Sequence, residues 1–123
     1  MADRIEVIHP PPVEIAAGVG LGTVSVFETA VANVYVTQFA PGAATPWHHH
    51  GSRRSFGYVV TGRLVMEFGP GGRDAVTMSA GDYFSIPARL IHRDLNRSRR
   101  KTVLATISVG RGPFSTLVDG PAG

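Results

Sequence analysis

Apolar and polar positions alternate in short runs along most of this chain, and glycine or proline ends nearly every run. The segment 31–40 shows the pattern best: Val34, Val36 and Gln38 fall on one face of an extended strand, and Tyr35, Thr37 and Phe39 fall on the other. Pro41-Gly42 stops it. Further strands are predicted over 24–28, 47–50, 56–60, 63–68, 75–78, 82–86, 91–96, 102–109 and 114–118. Thr61-Gly62, Gly69-Pro70-Gly71-Gly72 and Ala80-Gly81 supply turns between them. No window repeats apolar residues at helical spacing between caps, so no helix is predicted. Many short strands joined by glycine turns indicate an all-β sandwich or barrel.

At 123 residues there is room for one domain and not for two. Residues 1–22 read as an irregular leader, stiffened by Pro10-Pro11-Pro12, and residues 23–123 as the barrel. Apolar residues make up 43% of the chain, enough for a real core. Gly18, Gly20 and Gly22 have the wrong spacing for a phosphate-binding loop, and no helix follows them.

Composition narrows the chemistry. The sequence has no cysteine, which excludes disulfides and thiolate ligands and fits the expected cytoplasmic location. The start Met1-Ala2-Asp3-Arg4-Ile5-Glu6 lacks the apolar run of a signal peptide, and no stretch of about 18 apolar residues exists, so no membrane association is expected. The net charge is only +3. Basic residues nonetheless crowd the segment from Arg89 to Lys101, and Arg53-Arg54 form a second pair. These are either a solvated loop or a rim that attracts anions. No aromatic platform or recognition helix accompanies them, so nucleic acid is not an expected partner.

His48-His49-His50 is the first chemical cue. Alternate residues of a strand share a face, so His48 and His50 point together, about 6–7 Å apart along the strand, and His49 points away. Two such imidazoles and a third from another strand make a facial set for one metal ion. His92, in a second extended segment, is the natural third, whereas His9 lies in the proline-rich leader.

The spacing Gly42-x5-His48-x-His50-x4-Ser55-x6-Gly62 resembles the first cupin motif, and Gly81-x5-Pro87-x-Arg89-x2-His92-x3-Asn96 resembles the second. The resemblance implies a double-stranded β-helix, a jelly-roll barrel of two antiparallel sheets with a metal inside. It implies His48, His50 and His92 as ligands to one divalent ion, with Fe, Ni, Zn and Mn all compatible with imidazole. Two positions depart from the motifs. Ser55 stands where a carboxylate is usual, which predicts three neutral histidines and an undiminished metal charge, suited to an anionic ligand. Arg89 stands where glycine is usual, in the turn after Pro87.

Several residues are candidates for the pocket. Arg53, Arg54 and Arg89 are placed to draw an anion to the barrel mouth, and Tyr35, Trp47 and Phe56 to wall the cavity. Ser55 lies near the histidines, and Gln38 is a candidate inward hydrogen-bonding group. Asn96 is expected to satisfy turn backbone. The resemblance implies a metal-dependent oxidoreductase, such as a dioxygenase acting on a small anionic compound, or else a non-catalytic module that binds or senses a small ligand. A homodimer is expected, with the leader available to cross to a second subunit.

Overall fold

The computed structural model describes residues 3–123, so Met1 and Ala2, the start of the expected leader, lie outside the described residues. Ten strands carry the fold: β1 (Leu21–Glu28), β2 (Ala32–Phe39), β3 (His48–His49), β4 (Arg54–Thr61), β5 (Arg63–Phe68), β6 (Asp74–Ser79), β7 (Tyr83–Ile86), β8 (Arg93–Leu95), β9 (Thr102–Val109) and β10 (Thr116–Leu117). Among the described residues there is no α-helix, and a single 3₁₀ turn, Pro70–Gly72, caps the β5–β6 hairpin. No helix among the described residues is long and apolar enough to cross a membrane.

Two antiparallel layers face each other. The first has the order β1-β2-β9-β4-β7. The second consists of β6-β5-β8 and the pair β10-β3, stitched together by isolated bridges at Ala44–Leu95 and His48–His92. The crossings between sequence-distant strands close the jelly roll and leave β1 and β7 as the edges of the larger sheet. Phe39, Ala43, Val59, Leu64, Met66, Met78, Ile86 and Leu104 form the apolar core between the layers.

The period-two pattern has an unexpected polarity in the larger sheet. On β9 the buried positions are Thr102, Leu104, Thr106 and Ser108, while Val103, Ala105, Ile107 and Val109 face outward. On β2, Tyr35 and Phe39 are buried, and the face of Val34, Val36 and Gln38 is the outer one. The inner faces of these strands mix two kinds of residue: Phe39 and Leu104 join the apolar core, and Tyr35, Thr37 and Thr106 line the cavity beside it.

Two local features fix the frame. Gly57 on β4 lies under the Phe84 ring of β7, where any Cβ overlaps the ring. Asn96 ties three segments, its amide donating to the Phe39, Ala40 and Arg100 carbonyls while its side-chain oxygen accepts from Ser98. That is the backbone role expected of it.

Candidate metal centre

The extended stretch after Pro46 and the stretch before β8 run antiparallel. His48 and His92 are direct partners there, each donating its N–H to the other's carbonyl at 3.0 and 2.9 Å. Partners in such a pair project to the same face. His50, two residues on, projects to that face as well. All three are buried, with ring centroids 4.3 Å apart for His48–His92, 5.0 Å for His48–His50 and 5.1 Å for His50–His92. One ring nitrogen from each lies within 4.8 Å of the other two.

The hydrogen bonds decide which nitrogen is free. Nδ1 contacts the Pro46 carbonyl in His48 at 2.8 Å, the Phe114 carbonyl in His50 at 2.8 Å and the Leu90 carbonyl in His92 at 3.0 Å. A carbonyl only accepts, so each Nδ1 must carry the proton and donate it. Each Nε2 is left with a bare lone pair. Backbone carbonyls orienting imidazoles in this way are the usual support of a histidine metal site. His92 Nε2 is buried and has no hydrogen-bond partner. Burial pushes the His92 imidazole down to about 4. It also pushes His48 down, with the His92 ring adding to the effect. Both stay neutral near pH 7, as metal ligation requires. The donor set therefore fits a divalent ion.

The histidines open into a cavity of about 150 Å³ between the two sheets. Tyr35, Thr37 and Phe39 line it from β2, Thr106 from β9, Phe84 and Ile86 from β7, and Phe114 from the C-terminal segment. Burial, and then the charge of Asp94, pushes the Tyr35 phenol up to about 12, and the nearby Thr106 and Ser55 hydroxyls pull weakly the other way. A larger hollow of about 680 Å³ lies on the outer face of the big sheet, lined by residues such as Val34, Phe56 and Ile107. It has no histidine or carboxylate, and the histidine site is not in it.

The structure brings together only part of the predicted pocket. Tyr35 lines the cavity, and Ser55 faces inward, buried, with its hydroxyl unpartnered. His49 points away as expected, accepting from the Gly51 N–H at 3.0 Å. Gln38 is corrected to the outer face, because the Tyr35 face of β2 is the inner one. Phe56 and Arg54 are also on the outer face, Phe56 being 45% exposed with the Arg54 guanidinium 5.7 Å from its ring centre. Trp47 alternates with His48 and so points out of the cavity, packed under Arg93 at 4.5 Å and against Gly72 and Gly120. Arg89 is exposed in its turn at φ 66°, the left-handed region that the usual glycine tolerates better. Arg53 donates to the Gly112 carbonyl at 3.0 Å. No arginine or lysine lines the cavity.

Sequence reasoning missed Asp94 and Phe114. Asp94 is buried in the cavity wall, with Oδ1 3.7 Å from His92 Nε2. Burial pushes its carboxyl up to about 6, against the opposing influence of His48 and His50. The signal for it was present: it stands two residues after His92 in an extended segment and therefore shares its face. Phe114 carried no such signal, since only the chain path around β10 brings it to His50.

The cupin-domain family model matches residues 35–109, more than half of the chain and all of both motifs' ligand positions. The chain belongs to the cupin family. Among solved structures, this cupin is similar to a conserved double-stranded β-helix protein from Klebsiella pneumoniae, with TM-score 0.75 and 20% identity over 86% of this chain and 90% of that one. It is also similar to an oxalate oxidase in complex with the substrate analogue glycolate, with TM-score 0.71 and 21% identity over 85% of this chain and 58% of that one. Peruvianin-I from Thevetia peruviana latex, described as a cysteine peptidase, matches with TM-score 0.73 and 16% identity over 90% of this chain and 74% of that one. Likeness at these identities is a likeness of fold. No curated protein matches the sequence.

Proposed function

We propose that this cupin is a metal-dependent oxidoreductase of the dioxygenase type, acting on a small anion held between its two sheets. The observation that carries the proposal is the orientation of the three imidazoles. Carbonyls fix every Nδ1–H, so three Nε2 lone pairs converge in one buried space. Fe, Ni, Zn and Mn are all candidate ions. A bound redox-active ion supplies Lewis acidity and open positions for an anion at the cavity wall. A cavity of about 150 Å³ has space for on the order of five water molecules, which limits the ligand to a few heavy atoms. Tyr35 keeps its proton at neutral pH, so its hydroxyl is a donor for such an anion. The glycolate carried by the oxalate oxidase of like fold supports small carboxylates as the first compounds to try. The cysteine-free composition supports a cytoplasmic setting.

A second reading has its own support. Among the described residues, Asp94 and Tyr35 are the only ionisable groups besides the histidines that line the cavity, and Tyr35 holds its proton tightly. Such a site suits a module that binds a small anion without turning it over. Oxygen consumption by iron-loaded protein, across small carboxylates, diketones, thiols and phenols, separates the two. Calorimetric binding without turnover under iron, nickel, manganese or zinc favours the binding module and defeats the first proposal.

For assembly we propose a homodimer formed through the outer face of the large sheet. Val34, Ile107 and Phe56 form one row across β2, β9 and β4, and Val36, Ala105, Tyr58 and Tyr83 form the next, continued onto β7. The rows carry no charge, and Tyr83 is 83% exposed. The leader of the same chain leaves Ile5 and Val7 bare, at 92% and 77% exposure. A second copy supplies cover for both apolar surfaces.

A further inference from the structure

The three histidines leave one buried group unexplained. Asp94 Oδ1 is shut off from solvent and has no hydrogen-bond partner, and the same holds for His92 Nε2, which it faces at 3.7 Å. His92 spends its proton on the Leu90 carbonyl, so the pair is two sets of lone pairs facing each other. At 3.7 Å they are too far apart for a direct hydrogen bond. The side chain is not free to leave. The Asp94 N–H donates to Thr45 Oγ1 at 2.9 Å and its carbonyl accepts from the Thr45 N–H at 2.9 Å, which clamps position 94 to the neighbouring segment. A buried carboxylate is costly unless a positive group compensates it. Among the described residues no lysine or arginine lines the cavity, and Asp94 is its only carboxylate. The position on β4 where the motif usually has a carboxylate holds Ser55.

Resting on the metal site proposed above, we infer that Asp94 is the charge-setting acid of that centre, bringing it from two positive charges to one, so that it selects singly charged anions. The carboxylate missing from β4 is thereby supplied from the segment that carries His92. One monoanion then makes the buried cavity neutral. A dianion leaves a negative charge uncompensated against Phe39, Phe84 and Leu104, in surroundings that solvate it poorly.

The test uses Co²⁺ as probe on full-length wild type and Asp94→Asn, with chelator competition for metal affinity and acetate titration of the loaded protein followed by visible absorption. The variant is expected to lose about ten- to a hundredfold in metal affinity, in the range seen when groups supporting a metal site are removed. Its loaded form is expected to bind acetate more tightly than wild type, because the centre keeps its second positive charge. Loss of packing alone does not produce these opposite signs. Unchanged metal affinity, or acetate binding that weakens as well, overturns the inference while leaving the histidine site standing. A wild type that takes up no Co²⁺ overturns both. If the variant does not fold, the metal-minus-apo infrared difference spectrum of wild type decides. A shifted carboxylate stretch supports the role of Asp94, and an unchanged carboxylate region overturns it.

Discussion

His48 and His92 are tied to each other by two backbone hydrogen bonds, of 3.0 and 2.9 Å, although 44 positions separate them in sequence and His92 lies outside the named strands. This bridge joins the two parts of the smaller sheet, so the link that completes the sheet also presents two imidazoles side by side. His50 depends on a different support, the Phe114 carbonyl. The centre is thus assembled from three chain segments that meet only in the folded barrel.

The C-terminal segment should therefore matter to metal binding without supplying a ligand. Removing residues 113–123 takes away the carbonyl that orients His50 and the β10 partner of β3. Metal affinity is expected to fall about ten- to a hundredfold, the effect of losing a support of a ligand. Chelator competition checks this, and an affinity equal to wild type contradicts it.

Arg89 stands in the left-handed region and outside the cavity. Arg89→Gly is expected to stabilise the fold by about 0.5–1 kcal/mol, the relief of left-handed strain less the added flexibility of glycine. Metal content and anion binding should be unchanged. A drop in anion affinity restores Arg89 to the pocket.

Gly57 has no space for a side chain beneath Phe84. Gly57→Ala should destabilise the protein by about 1–3 kcal/mol through overpacking. A denaturant titration that finds no shift in midpoint contradicts this placement of the ring.

Glu67 accepts from Arg93 Nε at 2.7 Å and from Arg97 at 2.9 Å, and these hydrogen bonds, Arg93 first, hold its carboxyl below the usual carboxylate range. A lowered folded value means stability that is present above the ordinary value of 4.5 and is lost as pH falls through the lowered one. Glu67→Gln should cost about 0.5–1 kcal/mol at pH 7, and the difference from wild type should vanish in acid. A difference that persists at low pH points to packing instead.

The outer rows of the large sheet predict association. Light scattering should give twice the chain mass of 13.1 kDa for wild type. Phe56→Lys with Ile107→Lys should give monomers with unaltered metal content. A wild type at single-chain mass at micromolar concentration refutes the dimer.

Much of the fold was legible because turn glycines and strand alternation are local signals, and β5 and β9 have the bounds the pattern predicts. The histidine trio was legible for the same reason, since period two aligns His48 with His50. Applied consistently, that rule also turns Trp47 outward and brings Asp94 to the His92 face. What it leaves open is which face of a strand is inside. Val34 and Val36 suggested that the Gln38 face of β2 was buried, and the opposite holds: the inner face carries Tyr35, Thr37 and Phe39, which line the cavity beside the histidines. Phe114 was illegible for another reason: its place beside His50 depends on a long-range chain path.

The central claim is that His48, His50 and His92 together hold one divalent ion. The most direct test is elemental analysis of untagged protein after loading and desalting, for wild type and for His92→Ala with folding checked by circular dichroism. One equivalent of metal in wild type and none in the folded variant is the predicted result. A folded His92→Ala protein that keeps a full equivalent, or a wild type that retains no metal, contradicts it.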